Sequence, residues 1–564
     1  METYIHSKPK AAYFCMEFGL DESFPIYSGG LGILAGDLLK SAHDLNLPMV
    51  GVGILWDEGY TNQFIDSNLN PYDCAQEYSR DHLVDTGITV NVWIKGEEVT
   101  CKVWKTEKFG NVPLYLLDTN IPGSNHGWIT RQLYYGDGEE RVAAEMILGI
   151  GGVKALRALG INADIYHLNE GHAAFGGFEL IREKLKRGLT FHKAWEEARQ
   201  QIVFTTHTPV MAGNEEHSHG LLRTMGAYNG LEYDQVVQIG GDPFNMTIAG
   251  LRLSYIANGV SQLHGMTARS MWRGNEGTAP IIAITNGIHS GTWQHPQISH
   301  YYSTQGNLWR PHMTAKRQLI KYINDKNGVK FDADNLLIGF ARRAAAYKRN
   351  GLLFYQPEII EPLLKERVIQ LVYSGKAHPL DDVGKQAIRN LMQIVNRYPE
   401  SVVFLENYNM EIGKLMTSGC DIWLNTPQRP LEASGTSGMK AAINGVLNLS
   451  ILDGWWPEGC IHGENGWQVC GGYEGPEQTK IDAASLYDVL LNQVIPTYYE
   501  NRKKWVEMMR ASIDMALHRF TTNRMLTEYY NLLYQPSSTL REIKRQIIDA
   551  EDFKEFETTQ PIII

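Results

Sequence analysis

Residues 421–450 read DIWLNTPQRPLEASGTSGMKAAINGVLNLS. The apolar run Ile422–Leu424 stops at a loop containing Pro427 and Pro430, and each proline removes a backbone donor that a continuing strand would need. A Ser/Gly/Thr run, Ser434 to Gly438, then enters a helix with Lys440 in its first turns, and a second apolar run follows at Val446–Leu449. Strand, helix and strand in this order read as one parallel crossover unit. The backbone amides of SGTSG can cradle a phosphate. A lysine near a positive helix end and other cations loses proton affinity, which favours Schiff-base chemistry. An ordinary helix-start lysine has the same spacing.

Outward from this unit the same rhythm recurs. The second half also holds LLIGFARR, VIQLVYSGK and VVFLENYN; the first half holds AAYFCMEFG, PMVGVGILW, VPLYLLDT, ADIYHLNEGH, QIVFTTHTP and PIIAITNGIH. These are short apolar runs bounded by Gly, Asn, Asp or Pro, with helical stretches between them. A polar, helical-looking stretch over residues 300–334 parts the two sets. The expected fold class is α/β, with two doubly wound domains, residues 1–290 and 291–564, facing each other. Residues 81–108 alternate apolar and polar (ITVNVWI, VTCKVW) and predict a small antiparallel excursion. Residues 486–553 predict helices; by analogy with two-domain α/β enzymes, one crosses back onto the first domain.

Composition narrows the classes. The 564 residues are too many for one ordinary core, and 43% hydrophobic with 20% charged residues argues against disorder or a fibrous repeat. A net charge of −11 disfavours nucleic acid and anionic membrane as partners. The longest apolar runs, LPMVGVGILW and the terminal PIII, fall well short of a membrane span. METYIHSKPKAAYF has no secretory-signal pattern. The six cysteines, Cys15, Cys74, Cys101, Cys420, Cys460 and Cys470, include no CxxC pair, so a reducing cytoplasm is expected.

In open α/β sheets ligands bind beyond the carboxyl ends of the strands, and the unusual polar residues of this chain fall there. YSGGLGILAGD opens a helix with Gly29, Gly30 and Gly32. Its spacing is GxGxxxG and no GK[ST] follows, so neither a dinucleotide site nor a P-loop is supported; a tight turn without ligand is an equal reading. HLNEGH supplies His167, Glu170 and His172, and TTHTP supplies His207. They lack the i, i+4 pair of HExxH and a third ligand, which favours hydrogen-bonding roles over a metal. His217 and His219 read as solvated loop residues. GFARRAAAYKRNG carries Arg342, Arg343, Lys348 and Arg349. Such a run is a solvated face or, at a crevice of an acidic protein, a pocket for a phosphate dianion.

Together these segments resemble the α-glucan phosphorylases, the family of glycogen, starch and maltodextrin phosphorylase. The matches stand in the family's order: SGGLGILAGDLLKSAHDL, ITNGIHSGTW, ARRAAAYKR, FLENYN and EASGTSGMKAAINGVLNLSILDG, spread between Tyr13 and Asp453. The resemblance implies two Rossmann-like domains of GT-B type across a cleft, and retaining phosphorolysis of maltodextrin or glycogen chain ends to α-glucose 1-phosphate. It implies that Lys440 holds pyridoxal 5′-phosphate as an internal aldimine and that the cofactor's phosphate, set against the substrate phosphate, shuttles a proton. Arg343 and Lys348 match the positions that bind substrate phosphate, and Arg342 the basic position near the cofactor phosphate. Gly435, Thr436 and Ser437 complete that cradle, with Tyr408 near the cofactor. His207 matches a position near the reacting centre, where it joins Lys440, Arg343 and Lys348 as catalytic. Gly30, Leu31, Asn286, Glu432, Ser434 and Gly435 match positions around the sugar and substrate phosphate. A homodimer is expected from the family.

The chain also departs from the family. GTSGMK stands for the usual GTGNMK, Ala345 and Ala346 replace a His-Glu pair, and Asn409 replaces an arginine. The chain is shorter than the well-studied members, and a phosphorylation-control segment is not expected. Two other readings compete: a GT-B nucleotide-sugar glucosyltransferase resembling glycogen synthase, and a non-catalytic glucan-binding relative. Trp455, Trp456 and Trp467 could stack on sugar, although aromatic clusters are more often core.

Overall fold

The structure is a computed structural model and describes residues 8–136, 138–210 and 213–535. The chain is mixed α/β and is organised on two large sheets. The first runs Ile281–Ala283, Ile256–Gly259, Ile202–Thr205, Ile165–Asn169, Ala11–Phe14, Met49–Ile54, Leu114–Asp118, Glu97–Thr106 and Val84–Ile94. Its pairings are parallel as far as Leu114–Asp118. The far edge, Glu97–Thr106 with Val84–Ile94, is antiparallel. That edge is the alternating segment read from the sequence, because only a sheet with one wet face keeps a period of two.

The second sheet runs Val402–Leu405, Ile369–Ser374, Leu336–Ala341, Ile422–Asn425, Leu447–Ile451 and Gly466–Val469, all parallel. Ile422–Asn425 is buried along its whole length, as a strand covered on both faces must be. Residue 421 anchors it: Asp421 accepts from His312 Nε2 at 2.8 Å, Lys316 Nζ at 2.5 Å and the Leu337 amide at 2.7 Å. Burial opposes the charge, but Lys316 and His312 hold the Asp421 carboxyl below its ordinary range.

Each sheet carries its own apolar core. Phe14, Val52, Leu116 and Phe204 share theirs with Met525, Leu526, Tyr529 and Leu533, so the last described helical residues pack on the first sheet. Ile338, Leu371, Ile422 and Leu449 share the other with Trp467 and Trp505. A smaller cluster joins Ile33, Trp293, Met439, Trp455 and Phe520. Trp455, Trp456 and Trp467 are buried to within 3% of full enclosure and belong to the core. The part of the expected helical region beyond residue 535, with the terminal PIII, lies outside the described residues. Among the described residues no helix is long and apolar enough to cross a membrane.

Candidate active site

The SGTSG loop lies between Ile422–Asn425 and the helix Ser437–Ala442. Gly435 has φ +77°, and a Cβ there would stand 3.2 Å from both Arg342 Nη2 and Glu432 Oε1; glycine is what lets the backbone approach the charged groups. Gly454, at φ +58°, passes so close that a Cβ would lie 2.2 Å from the Ser434 carbonyl oxygen. Ser437 Oγ accepts from Trp423 Nε1 at 3.2 Å. Thr436 precedes the helix without a side-chain cap, which leaves first-turn amides for another acceptor. Ser434 Oγ and Asn425 Oδ1, both buried, have no hydrogen-bond partner among the described residues. They border a cavity of about 10 Å³ that Arg342, Glu432 and Asp453 also line.

The cationic run meets this loop. Leu336–Ala341 ends at Arg342, and a 3₁₀ turn, Ala346–Lys348, presents the lysine. Glu432 is the hub: Arg342 Nη2 donates to its Oε2 at 2.7 Å, and Lys348 Nζ donates to the same oxygen. The Glu432 amide donates to Asp453 Oδ2 at 2.9 Å. Burial opposes charge on Glu432, yet Arg342 and Lys348 hold its carboxyl below the ordinary range. Burial and then Arg342 push the Lys348 ammonium down to about 7, against the pull of Glu432. Burial and Glu432 push Asp453 up to about 7. Arg343 is exposed, and its charge reaches Tyr60, Tyr347 and Lys348. Arg342 and Lys348 thus share one ionised carboxylate, with the Arg343 charge close to Lys348, an excess of cations that suits an anion.

Arg349 does not join them. Its guanidinium is spent on Asp482 at 2.6 Å and on the carbonyls of Thr426 and Pro427, so it pins the loop. Tyr408 is pushed up to about 12 by burial, with Arg342 acting against the shift. Asn409, one of the departures, caps the helix Met410–Gly419 by accepting the Ile412 amide at 2.9 Å. Ala345, another, gives its carbonyl to the Lys348 amide at 3.0 Å.

Lys440 is buried, with its Nζ 3.9 Å from the centroid of the Trp293 ring. Burial pushes the amine down to about 8, and Asp37 works against that. Asp37 lies on the helix Gly30–Asp44 opened by the glycine motif and accepts from Trp293 Nε1 at 2.8 and 3.0 Å. Gly30 and Leu31 are in the first turn of that helix, where amides have no preceding helical carbonyl, and a Cβ on Gly29 or Gly30 would meet nothing within 4 Å. Neither Asp37 nor Trp293 was singled out from the sequence. An acidic residue inside a helix and a tryptophan after NGIHSGT carry no local signal for a contact 256 residues apart.

The first-half histidines divide by environment. His207 Nε2 shares a hydrogen bond with Asn169 Oδ1 at 2.7 Å, and its amide donates to Glu170 Oε2 at 2.8 Å. Burial, with His264 and His172 adding, pushes the ring down to about 3, so it is neutral near pH 7. Asn286 is buried, and its Oδ1 has no partner among the described residues. His167 is core, bonded to Tyr534 OH and Thr205 Oγ1.

His217 and His219 are not solvated: His217 meets Glu145 at 2.9 Å, and His219 meets Tyr228 OH and the Gly241 carbonyl. Their partners come from distant elements that the sequence does not place. Glu145, Glu215 and His217 bring donor atoms within 4.8 Å of one another. Arg141, 2.8 Å from Glu215 and 3.7 Å from Glu145, already supplies a positive charge there. A second pocket, bordered by Gln132 and Arg141, carries the partly exposed rings of Trp128 and Tyr135; the sequence reading passed over both. The two halves touch at the loop, where Ser261 Oγ donates to the Ala433 carbonyl at 2.6 Å.

Residues 298–458 match the family described as carbohydrate phosphorylase. The chain is 39% identical to the maltodextrin phosphorylase of Thermococcus litoralis, over 93% of this chain and 70% of that protein. It is 37% identical to the glycogen phosphorylase of Mycobacterium tuberculosis, over 93% and 71%. The glycogen phosphorylase of Aquifex aeolicus is 34% identical, over 96% and 89%. Likeness of this extent reaches both sheets and every segment on which the resemblance was read, and the chain belongs to the α-glucan phosphorylase family.

Proposed function

We propose that the protein is an α-1,4-glucan phosphorylase that cleaves maltodextrin or glycogen chain ends with orthophosphate and releases α-glucose 1-phosphate. The observation that carries the reading is the convergence of Arg342 and Lys348 on Glu432, two residues before the Ser434–Gly435 turn. The two sheet systems, residues 1–290 and 291–564, are then the Rossmann-like domains of a GT-B fold facing across a cleft, and the active protein is a cytoplasmic homodimer.

Pyridoxal 5′-phosphate suits the residues present. Lys440 is a buried amine with reduced proton affinity above a flat indole, and the turn at Gly435 runs beside Arg342 into the helix Ser437–Ala442, whose first-turn amides have no side-chain cap. Lys440 would hold the cofactor, with Arg342, Gly435, Thr436 and Ser437 around its phosphate and Tyr408 beside it. When bound, the cofactor supplies a phosphate that exchanges a proton with the substrate phosphate.

The remaining work belongs to the chain. Arg343 and Lys348 hold orthophosphate, with the Gly30 and Leu31 amides closing on it; the bound phosphate gives a proton to the leaving glycosidic oxygen, and its negative charge stabilises the cationic glucosyl centre that one of its oxygens then captures. Glu432 then exchanges its grip on Lys348 for a sugar hydroxyl. Asn286, Ser434 and the Gly435 backbone orient the ring. His207, neutral and tethered to Asn169, offers its backbone carbonyl near the reacting carbon rather than a proton. Trp128 and Tyr135 offer faces to acceptor sugars.

Phosphorus NMR of purified protein with maltodextrin and orthophosphate tests the reading. A growing α-glucose 1-phosphate resonance is expected. Glucose transfer from a sugar nucleotide instead would assign the synthase-like reaction, and glucan binding without turnover would assign the inactive relative.

A further inference from the structure

After Met49–Ile54 the chain forms a hairpin, Asn62–Ile65 with Pro71–Cys74, that joins neither large sheet. Gln63 is 3% exposed and is the one buried residue of its strand. A buried carboxamide needs hydrogen-bond partners, and Gln63 finds most of them in the other half of the chain. Its Oε1 accepts from the Ala377 amide at 2.8 Å, and its Nε2 donates to the Ala377 carbonyl at 3.1 Å and to Asp73 Oδ1 at 2.9 Å. Beside it, Lys376 Nζ donates to the Thr61 carbonyl at 2.7 Å. The Gln63 main chain is held as well: its amide donates to Asn407 Oδ1 at 3.3 Å, and its carbonyl accepts from the Asn407 amide at 3.1 Å. Asn407 Nδ2 donates to Asn62 Oδ1 at 3.0 Å.

Both gripped loops leave the carboxyl ends of neighbouring strands of the second sheet, Ile369–Ser374 and Val402–Leu405, the end at which open α/β sheets bind ligands. The first loop carries the cationic run on its main chain. The Arg342 amide donates to the Ser374 carbonyl at 3.2 Å, and the Ala344 amide to the Lys376 carbonyl at 2.9 Å. Gly375 passes so close that a Cβ there would lie 2.1 Å from the Arg342 carbonyl oxygen. The second loop leads directly into Tyr408. We propose that Gln63 is a positioning residue: the hairpin clasps the two strand-end loops and so holds the run Arg342–Lys348 in place for orthophosphate. Charges fixed before the ligand arrives bind it without the cost of ordering them. A carboxamide suits the task because it donates and accepts at once, and so meets both backbone groups of Ala377; a carboxylate could only accept.

The kinetic half of the test rests on the functional reading above, and the structural half does not. The structural half is hydrogen–deuterium exchange of the whole protein, comparing wild type with Gln63→Ala, Asn407→Gly and Glu22→Gln. Asn407→Gly removes the second grip and keeps a residue suited to the φ of +54° found there. Glu22→Gln removes another contact between the halves, the exposed ion pair with Lys414 at 3.6 Å, which touches neither loop. Exchange over residues 342–348 and 374–378 should rise by on the order of tenfold in Gln63→Ala and stay at the wild-type rate in Glu22→Gln. In initial-rate phosphorolysis the orthophosphate KM of Gln63→Ala should rise roughly three- to thirtyfold, with the glucan KM unchanged. A folded Gln63→Ala protein whose exchange over 342–348 or orthophosphate KM matches wild type, or whose glucan KM rises in step, overturns the role of Gln63. So does a Glu22→Gln protein that shows the same changes. Should Gln63→Ala not fold, Asn407→Gly decides by the same two readings. Wild-type protein that makes no glucose 1-phosphate overturns the functional reading instead, and the exchange rates then judge the clasp alone.

Discussion

Replacing Lys348 by Gln removes one of the two cations that Glu432 now holds and that orthophosphate would need. A unit charge about 4 Å from another is worth about 4 kcal/mol at an effective dielectric of about 20, and truncating one side of a buried charged pair costs roughly 2–5 kcal/mol. At about 1.4 kcal/mol per decade, kcat/KM for orthophosphate should fall by roughly thirty- to several-thousand-fold. The pH dependence sharpens the test. Because the ammonium is pushed down to about 7, it is mostly charged at pH 6 and mostly neutral at pH 8, so the wild type binds phosphate more weakly as pH rises through 7. Arginine stays charged over this range, so Lys348→Arg should lack that weakening, and the ratio of the two proteins cancels the ionisation of orthophosphate itself. The assay is initial-rate phosphorolysis with varied orthophosphate at both pH values. A Lys348→Gln enzyme within threefold of wild type at pH 6, or wild type and Lys348→Arg with the same pH dependence, would refute the reasoning.

Three further outcomes follow from the same geometry. Gly454→Ala sets a Cβ 2.2 Å from the Ser434 carbonyl oxygen at a φ of +58°; urea unfolding should show a loss of about 1–3 kcal/mol, with a raised KM for orthophosphate as the loop shifts. Asp453 is pushed up to about 7, so the folded state holds its proton more tightly than the unfolded chain. Its contribution to stability therefore falls as pH rises from about 4 to about 7, and over that window Asp453→Asn should gain on the wild type in unfolding free energy from urea titration by up to a few kcal/mol. Trp128→Ala with Tyr135→Ala should raise the glucan KM by roughly three- to thirtyfold while leaving the orthophosphate KM unchanged, as glucan-saturated kinetics would show.

What could be read early was local. The parallel sheets and the antiparallel edge follow from burial periodicity, and SGTSG and ARRAAAYKR stand out because their glycines and their cations lie close together in the chain. Within the cationic run the sequence could not separate Lys348, which turns toward Glu432, from Arg349, which is spent on Asp482. Adjacent residues on a turn point apart, and the partners come from other strands. The same limit hid the Asp37–Trp293–Lys440 stack, assembled from three remote segments. It also made His217 and His219 look solvated, when Glu145 and the Gly241 carbonyl enclose them.

The most direct test of the central claim is the intact mass of borohydride-reduced protein, followed by peptide mapping. One added pyridoxyl phosphate on the peptide carrying Lys440 is the predicted result. Protein supplied with the cofactor that gains no mass, or gains it on another lysine, would contradict the account.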